Sequence, residues 1–122
     1  MPLEIYKLLH FTGIFLVFAA LGGQLLFVWR GGTRADAGAR RTVAITHGVG
    51  LALLLLGGFG MHAKLGYTGF PLWFGLKVGI WATLGALMML PWRYPQLAKP
   101  LWIVLPLLGA LATYCGIWKP TL

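Results

Sequence analysis

Acidic side chains are almost missing from this chain: Glu4 and Asp36 are the only two, against ten lysines and arginines and three histidines in 122 residues. Neither acid falls in the middle of a long apolar stretch, so the sequence has nothing with which to build a hard-cation cage or a carboxylate proton relay there. Cysteine is nearly absent too. The lone Cys115 excludes an internal disulfide and a multi-cysteine metal site. Charge of either sign is scarce, 10% of residues, where a soluble domain carries about 25%. No repeat is evident, and no linker is long enough to divide the chain into domains.

What is present is apolar. Hydrophobic residues make up 59% of the chain, and they gather into four stretches at about residues 3–29, 42–65, 70–91 and 100–118. Each can cross roughly 30 Å of hydrocarbon at about 1.5 Å per residue. The expectation is an all-α integral membrane protein, a single four-helix transmembrane bundle spanning residues 1–122. The first stretch runs on through Leu25-Leu26-Phe27-Val28-Trp29, too long for the core of a signal peptide, and reads as a retained helix.

The net charge of +8 would suggest nucleic acid in a soluble protein. Here the cations occupy the connections, which argues against a nucleic-acid partner. Arg30, Arg34, Arg40 and Arg41 crowd one loop, Arg93 and Lys99 bracket another, and Lys7, Lys64 and Lys119 fall on the opposite side. By the positive-inside rule the two basic loops are cytoplasmic and both termini outside, in a multi-pass membrane protein. Trp29, Trp73, Trp92, Trp102 and Trp118 all lie near predicted helix ends, where interfacial aromatics belong.

Small residues recur at packing distance. Ala44, Gly48 and Ala52 are four apart, followed by Gly57, Gly58 and Gly60, and the third stretch carries Gly75 and Gly79. Such ridges let transmembrane helices approach closely, within the bundle or between copies in a homo-oligomer; they can also leave room for a flat ligand. Pro91 and Pro95 punctuate the connection after the third stretch, and Pro106 falls within the fourth.

Against this background the informative residues are His10, His47, His62 and Lys77, ionisable groups in or at the ends of apolar segments. Such groups persist in a membrane when they have a partner, a ligand or a short path to the interface. In the expected topology His10 and Lys77 both lie about 10 Å below the outer end of their helices, and His62 lies within a turn of its own outer end. These three converge on the outer third. His47 is about 22 Å along the helix from His62 and cannot share an ion with it; it falls near the level of Gln24. Tyr114 and Cys115 approach the outer level from the fourth helix. Neutral imidazoles from two helices are good iron ligands, and a nearby lysine can meet a propionate or another carboxylate.

The opening Tyr6-Lys7-Leu8-Leu9-His10, with the apolar run to Arg30, resembles the first helix of the HemJ-like family, small bacterial membrane proteins associated with protoporphyrinogen oxidation. Leu72-Trp73-Phe74-Gly75-Leu76-Lys77 is similar to that family's aromatic-rich start of a helix leading to a membrane lysine. Two family histidines, close before the lysine and at the end of its helix, are replaced by Phe74-Gly75-Leu76 and Leu87-Met88-Met89-Leu90. By residue the resemblance therefore carries over His10 as a haem ligand and Lys77 as a catalytic or propionate-binding group.

Two functions follow as expectations. One is a haem b or tetrapyrrole-binding redox protein, an oxidoreductase serving a tetrapyrrole or a quinone, with His10 and His62 as metal ligands and Lys77 beside them. The other is a non-enzymatic membrane component, a carrier, channel or assembly subunit, whose polar residues only stabilise the bundle.

Overall fold

The computed structural model describes residues 2–121 and is helical throughout its ordered elements. In chain order these are α1 (Leu3–Trp29), α2 (Ala37–Lys64), α3 (Leu72–Leu87), the short α4 (Met89–Arg93), a 3-10 turn (Pro95–Leu97) and α5 (Ala98–Trp118). Four helical segments are long and apolar enough to cross a membrane: Leu3–Trp29, Ala37–Lys64, Leu72–Arg93 and Pro95–Trp118.

The helix ends have local causes. Pro2 stands at the N-cap of α1, where its missing N–H costs nothing, and Gly31 takes φ 96° in the turn that ends the helix. α2 begins five residues before the apolar stretch does, because Asp36 caps it: its Oδ1 accepts from the Ala39 N–H at 3.0 Å. The third segment is not continuous. Pro91 has no N–H to offer the Leu87 carbonyl, and the helix breaks at Met88 before resuming as α4. Pro91, expected in the loop, thus lies inside the third helical segment, in the first turn of α4. Pro106 is accommodated within α5.

α1 is the centre of the bundle. Its buried residues are His10, Gly13, Val17, Ala20, Leu21, Gln24, Leu25 and Val28, a stripe at alternating three- and four-residue spacing. α2 packs antiparallel along it through His47, Gly50, Leu54 and Gly57, the same spacing on the partner. Side chains at these glycines have no room: a Cβ on Gly50 would lie 2.8 Å from the Val17 nitrogen, and Cβ atoms on Gly13 and Gly57 would strike the backbones of Leu54 and His10. α5 lies against α1 and α3. Phe18 fills the space beside Gly109, and Trp29 meets Trp102 edge-on at 6.3 Å. The apolar core joins Val17, Leu21, Leu25, Val28, Leu54, Ile80, Leu84, Ala98 and Leu105 from four helices.

The small residues expected to pack do so in part: Gly57 and Gly60 of α2 meet the α1 backbone and the Tyr6 ring. Gly48 meets nothing within 4 Å, and Ala44 and Ala52 are exposed beside it. The working ridge is rotated onto Gly50 and Gly57. Gly75 and Gly79 of α3 likewise face open space.

Candidate polar site within the bundle

The buried polar side chains of the helices share one behaviour: each donates to a main-chain carbonyl of a neighbouring helix. His10, 8% exposed, has its Nδ1 3.0 Å from the Leu54 carbonyl of α2. A carbonyl can only accept, so Nδ1 carries the proton. Trp81 of α3 donates Nε1–H to the Leu51 carbonyl, also at 3.0 Å, one turn along the same face of α2. In the other half of the bundle His47 donates Nε2–H to the Leu84 carbonyl at 3.0 Å, and Gln24 donates Nε2–H to the Met88 carbonyl at 2.6 Å. His47 and Gln24 are at one level, as expected, but they are bound to successive turns of α3 rather than to each other.

The break at Met88 explains why α3 is gripped there. Removing the N–H of residue 91 loosens the carbonyl ladder of the last turn, and the Gln24 amide supplies a donor next to it. Gln24 is wholly buried, and its Oε1 has no partner among the described residues.

His62 lies elsewhere. It donates Nε2–H to the Gly69 carbonyl at 3.0 Å, closing the α2–α3 connection, where Gly69 takes φ 69°. Its ring is stacked 3.9 Å from Phe74 and 5.6 Å from Tyr67. The ring that His10 meets is Phe11, edge-on at 6.0 Å. The two imidazoles expected to share a metal therefore sit in different surroundings, and each spends one nitrogen on a carbonyl. Among the described residues no group of three or more His, Cys, Asp or Glu is gathered as a metal site.

Lys77 leaves α3 towards α5. Its Nζ lies 3.4 Å from where a Cβ of Gly116 would stand. Cys115 itself is 1% exposed and packs with Trp73 and Phe74. Tyr114 is exposed and stacks on Trp118 at 5.1 Å. Of the three residues assigned to the outer third, His10 is bonded to α2, Lys77 faces the end of α5, and His62 closes the α2–α3 connection.

Gly57 is closed by the α1 backbone and Gly60 by the Tyr6 ring, whereas Gly58 faces the His10 ring at ordinary contact distance, its Cβ position 3.5 Å from the ring. A void of ≈ 10 Å³ in the core is lined by Leu21, Leu25, Leu87, Leu101 and Leu105. A hollow of ≈ 550 Å³ opens outward between Phe70, Pro71, Leu72, Gly75, Leu76 and Thr121. Neither is lined by His10, His62 or Lys77.

The sequence signal that would have identified the interhelical donors is their spacing. His10 and Gln24 fall on the same three-four stripe as Gly13, Val17 and Leu21, and His47 on that of Gly50, Leu54 and Gly57. Trp81 gives no such signal, since tryptophan within an apolar helix reads as core. No known protein-family model matches the chain, and neither the curated proteins nor the solved structures contain a match.

Proposed function

We propose that this chain is an integral four-helix membrane protein of a bacterial inner membrane, multi-pass with both termini outside, acting as a non-enzymatic component rather than a catalyst. Within the classes of carrier, channel and assembly subunit, the filled interior favours an assembly subunit. The observation that carries the reading is the common behaviour of His10, His47, Gln24 and Trp81. Three buried polar side chains and the half-buried Trp81, from three helices, each donate to a neighbouring helix's carbonyl. In hydrocarbon such bonds supply orientation and registry where the hydrophobic effect between helices is weak. They leave few polar groups over for chemistry.

The test has two parts. Alkaline carbonate should leave the protein in the membrane pellet, as expected for spanning helices. Replacing His10 or His47 with leucine should lower thermal stability in detergent while the protein stays folded and in the membrane. A protein released by carbonate would defeat the membrane assignment.

A second reading, a haem b or tetrapyrrole-binding redox protein, keeps one supporting observation. A backbone carbonyl on Nδ1–H is the contact that orients a metal-binding histidine and leaves Nε2 as the donor atom, and His10 has it in Leu54. This reading requires helices to part around His10, with Lys77 as the anionic-group partner. The visible absorption spectrum separates it from the first.

A further inference from the structure

Cations crowd the end of the bundle where α1 stops and α2 and α5 begin. Arg30, Arg34, Arg40, Arg41, Arg93 and Lys99 are all exposed there, and Asp36 is the one acid among them. Asp36 already spends its Oδ1 on the Ala39 N–H. Glu4 stands in the first turn of α1, at the opposite end, and α5 carries the chain about 30 Å away from here before its last residues.

One corner of this end has a defined geometry. Trp29, the last residue of α1, meets Trp102 of α5 edge-on at 6.3 Å, and the two are 44% and 41% exposed. Lys99, three residues before Trp102, holds its Nζ 5.6 Å from the centre of the Trp29 ring. An ammonium on a ring face keeps N–H donors directed away from the ring. Arg30 follows Trp29 as the C-cap of α1, and the first turn of α5 carries no acid. The carbonyl end of α1 and the N-terminus of α5 bring opposite partial charges of about half an elementary charge each. These offset one another, so the corner keeps the positive charge of Arg30 and Lys99.

The indoles set the depth of the anion that balances it. Two half-exposed tryptophans at the ends of membrane-length helices belong at the level of the headgroups. Two turns before Trp29, on the same face of α1, Gly22 has nothing within 4 Å of its Cβ position. The α1–α5 seam is therefore open below the tryptophans. A free phosphate would meet the cations and leave the indoles and the seam unused; an amphiphile uses all three.

We infer that the corner formed by Trp29, Arg30, Lys99 and Trp102 binds one anionic phospholipid. Its phosphate lies on Lys99 and Arg30, and its glycerol region and upper acyl chain lie against the two indoles. The inference rests on the membrane reading above. It selects an anionic lipid over a zwitterionic one, because a choline headgroup already neutralises its own phosphate.

The experiment is native mass spectrometry of the full chain in detergent, titrated with phosphatidylglycerol or phosphatidylcholine. One phosphatidylglycerol should be retained preferentially. Lys99→Gln and Arg30→Gln should each weaken its retention about five-fold, the worth of one cation at an anionic lipid surface. Lys99→Arg should keep it. Trp102→Leu, which leaves the charge unaltered, should weaken retention as well. Arg41→Gln removes an exposed cation from α2 at the same end, and should leave retention unchanged.

Equal retention of the two lipids would overturn the site. A loss in Arg41→Gln as large as that in Lys99→Gln would show a diffuse basic surface and overturn it too. So would displacement of the lipid by millimolar inorganic phosphate with Trp102→Leu having no effect, the behaviour of a plain anion site. If Trp102→Leu fails to fold, Lys99→Gln and Lys99→Arg, at an exposed position, decide the question. A chain that carbonate strips from membranes defeats the membrane reading and the lipid site together. One that stays embedded without lipid preference defeats the lipid site alone.

Discussion

The imidazole of His10 and the carbonyl of Leu54 are joined at 3.0 Å across the α1–α2 interface, at the level where Gly57 lets the two backbones touch. The hydrogen bond and the close approach depend on each other: a side chain at residue 57 would push α1 away and take His10 with it. The Leu54 carbonyl lies within a continuous helix and keeps its ladder partner, so the imidazole is an added donor rather than a sole one.

For that reason His10→Leu should be survivable. The expected loss is about 0.6–1.7 kcal/mol, the range for interhelical polar contacts in membranes, read by reversible denaturation in mixed micelles. Failure of His10→Leu to fold at all would show that His10 does more than join two helices.

Gly57→Ala should cost more than its single methyl suggests, about 1–3 kcal/mol, because the added carbon meets backbone rather than a side chain that can swing aside. Gly48→Ala is the matched control. Its Cβ position is open, and alanine favours a helix over glycine by about 0.5–1 kcal/mol, so its melting temperature should hold or rise. Equal effects at the two sites would mean that the register of α1 on α2 is misassigned.

Gln24 gives a prediction that contrasts two substitutions. Gln24→Leu removes the bond to Met88 but also the unpartnered Oε1, and should stay within about 1 kcal/mol of the parent. Gln24→Ala leaves a hole in a wholly buried position and should cost about 2 kcal/mol or more. Thermal melts of the two variants side by side check the order; Leu falling below Ala would contradict it.

The proposed orientation is checked by topology reporters. Alkaline phosphatase fused to the C-terminus should be active, and fused after Gly31 inactive. The reverse pattern would put the Arg30–Arg41 loop outside.

Much of this arrangement was legible in the residues. The four apolar stretches match four helical segments, and the three-four spacing that buries α1 can be read directly from His10 to Val28. Rotation about a helix axis was harder. Ala44-Gly48-Ala52 and His47-Gly50-Leu54-Gly57 both look like packing ridges, and only the partner's shape chooses between them. The fate of His62 was hidden because its acceptor, Gly69, depends on a left-handed turn in the connection. The break at Met88 follows from Pro91, but that the helix resumes beyond it depends on the packing of α4 against α1 and on the 3-10 turn.

The central question is whether the buried histidines join helices or hold a metal. The direct measurement is the absorption spectrum of detergent-purified protein expressed with ample haem, oxidised and then reduced with dithionite. A spectrum without a Soret band, together with folded His10→Leu protein, is the expected result. A Soret band with reduced α and β bands, abolished in His10→Ala, would contradict it and make His10 a haem ligand.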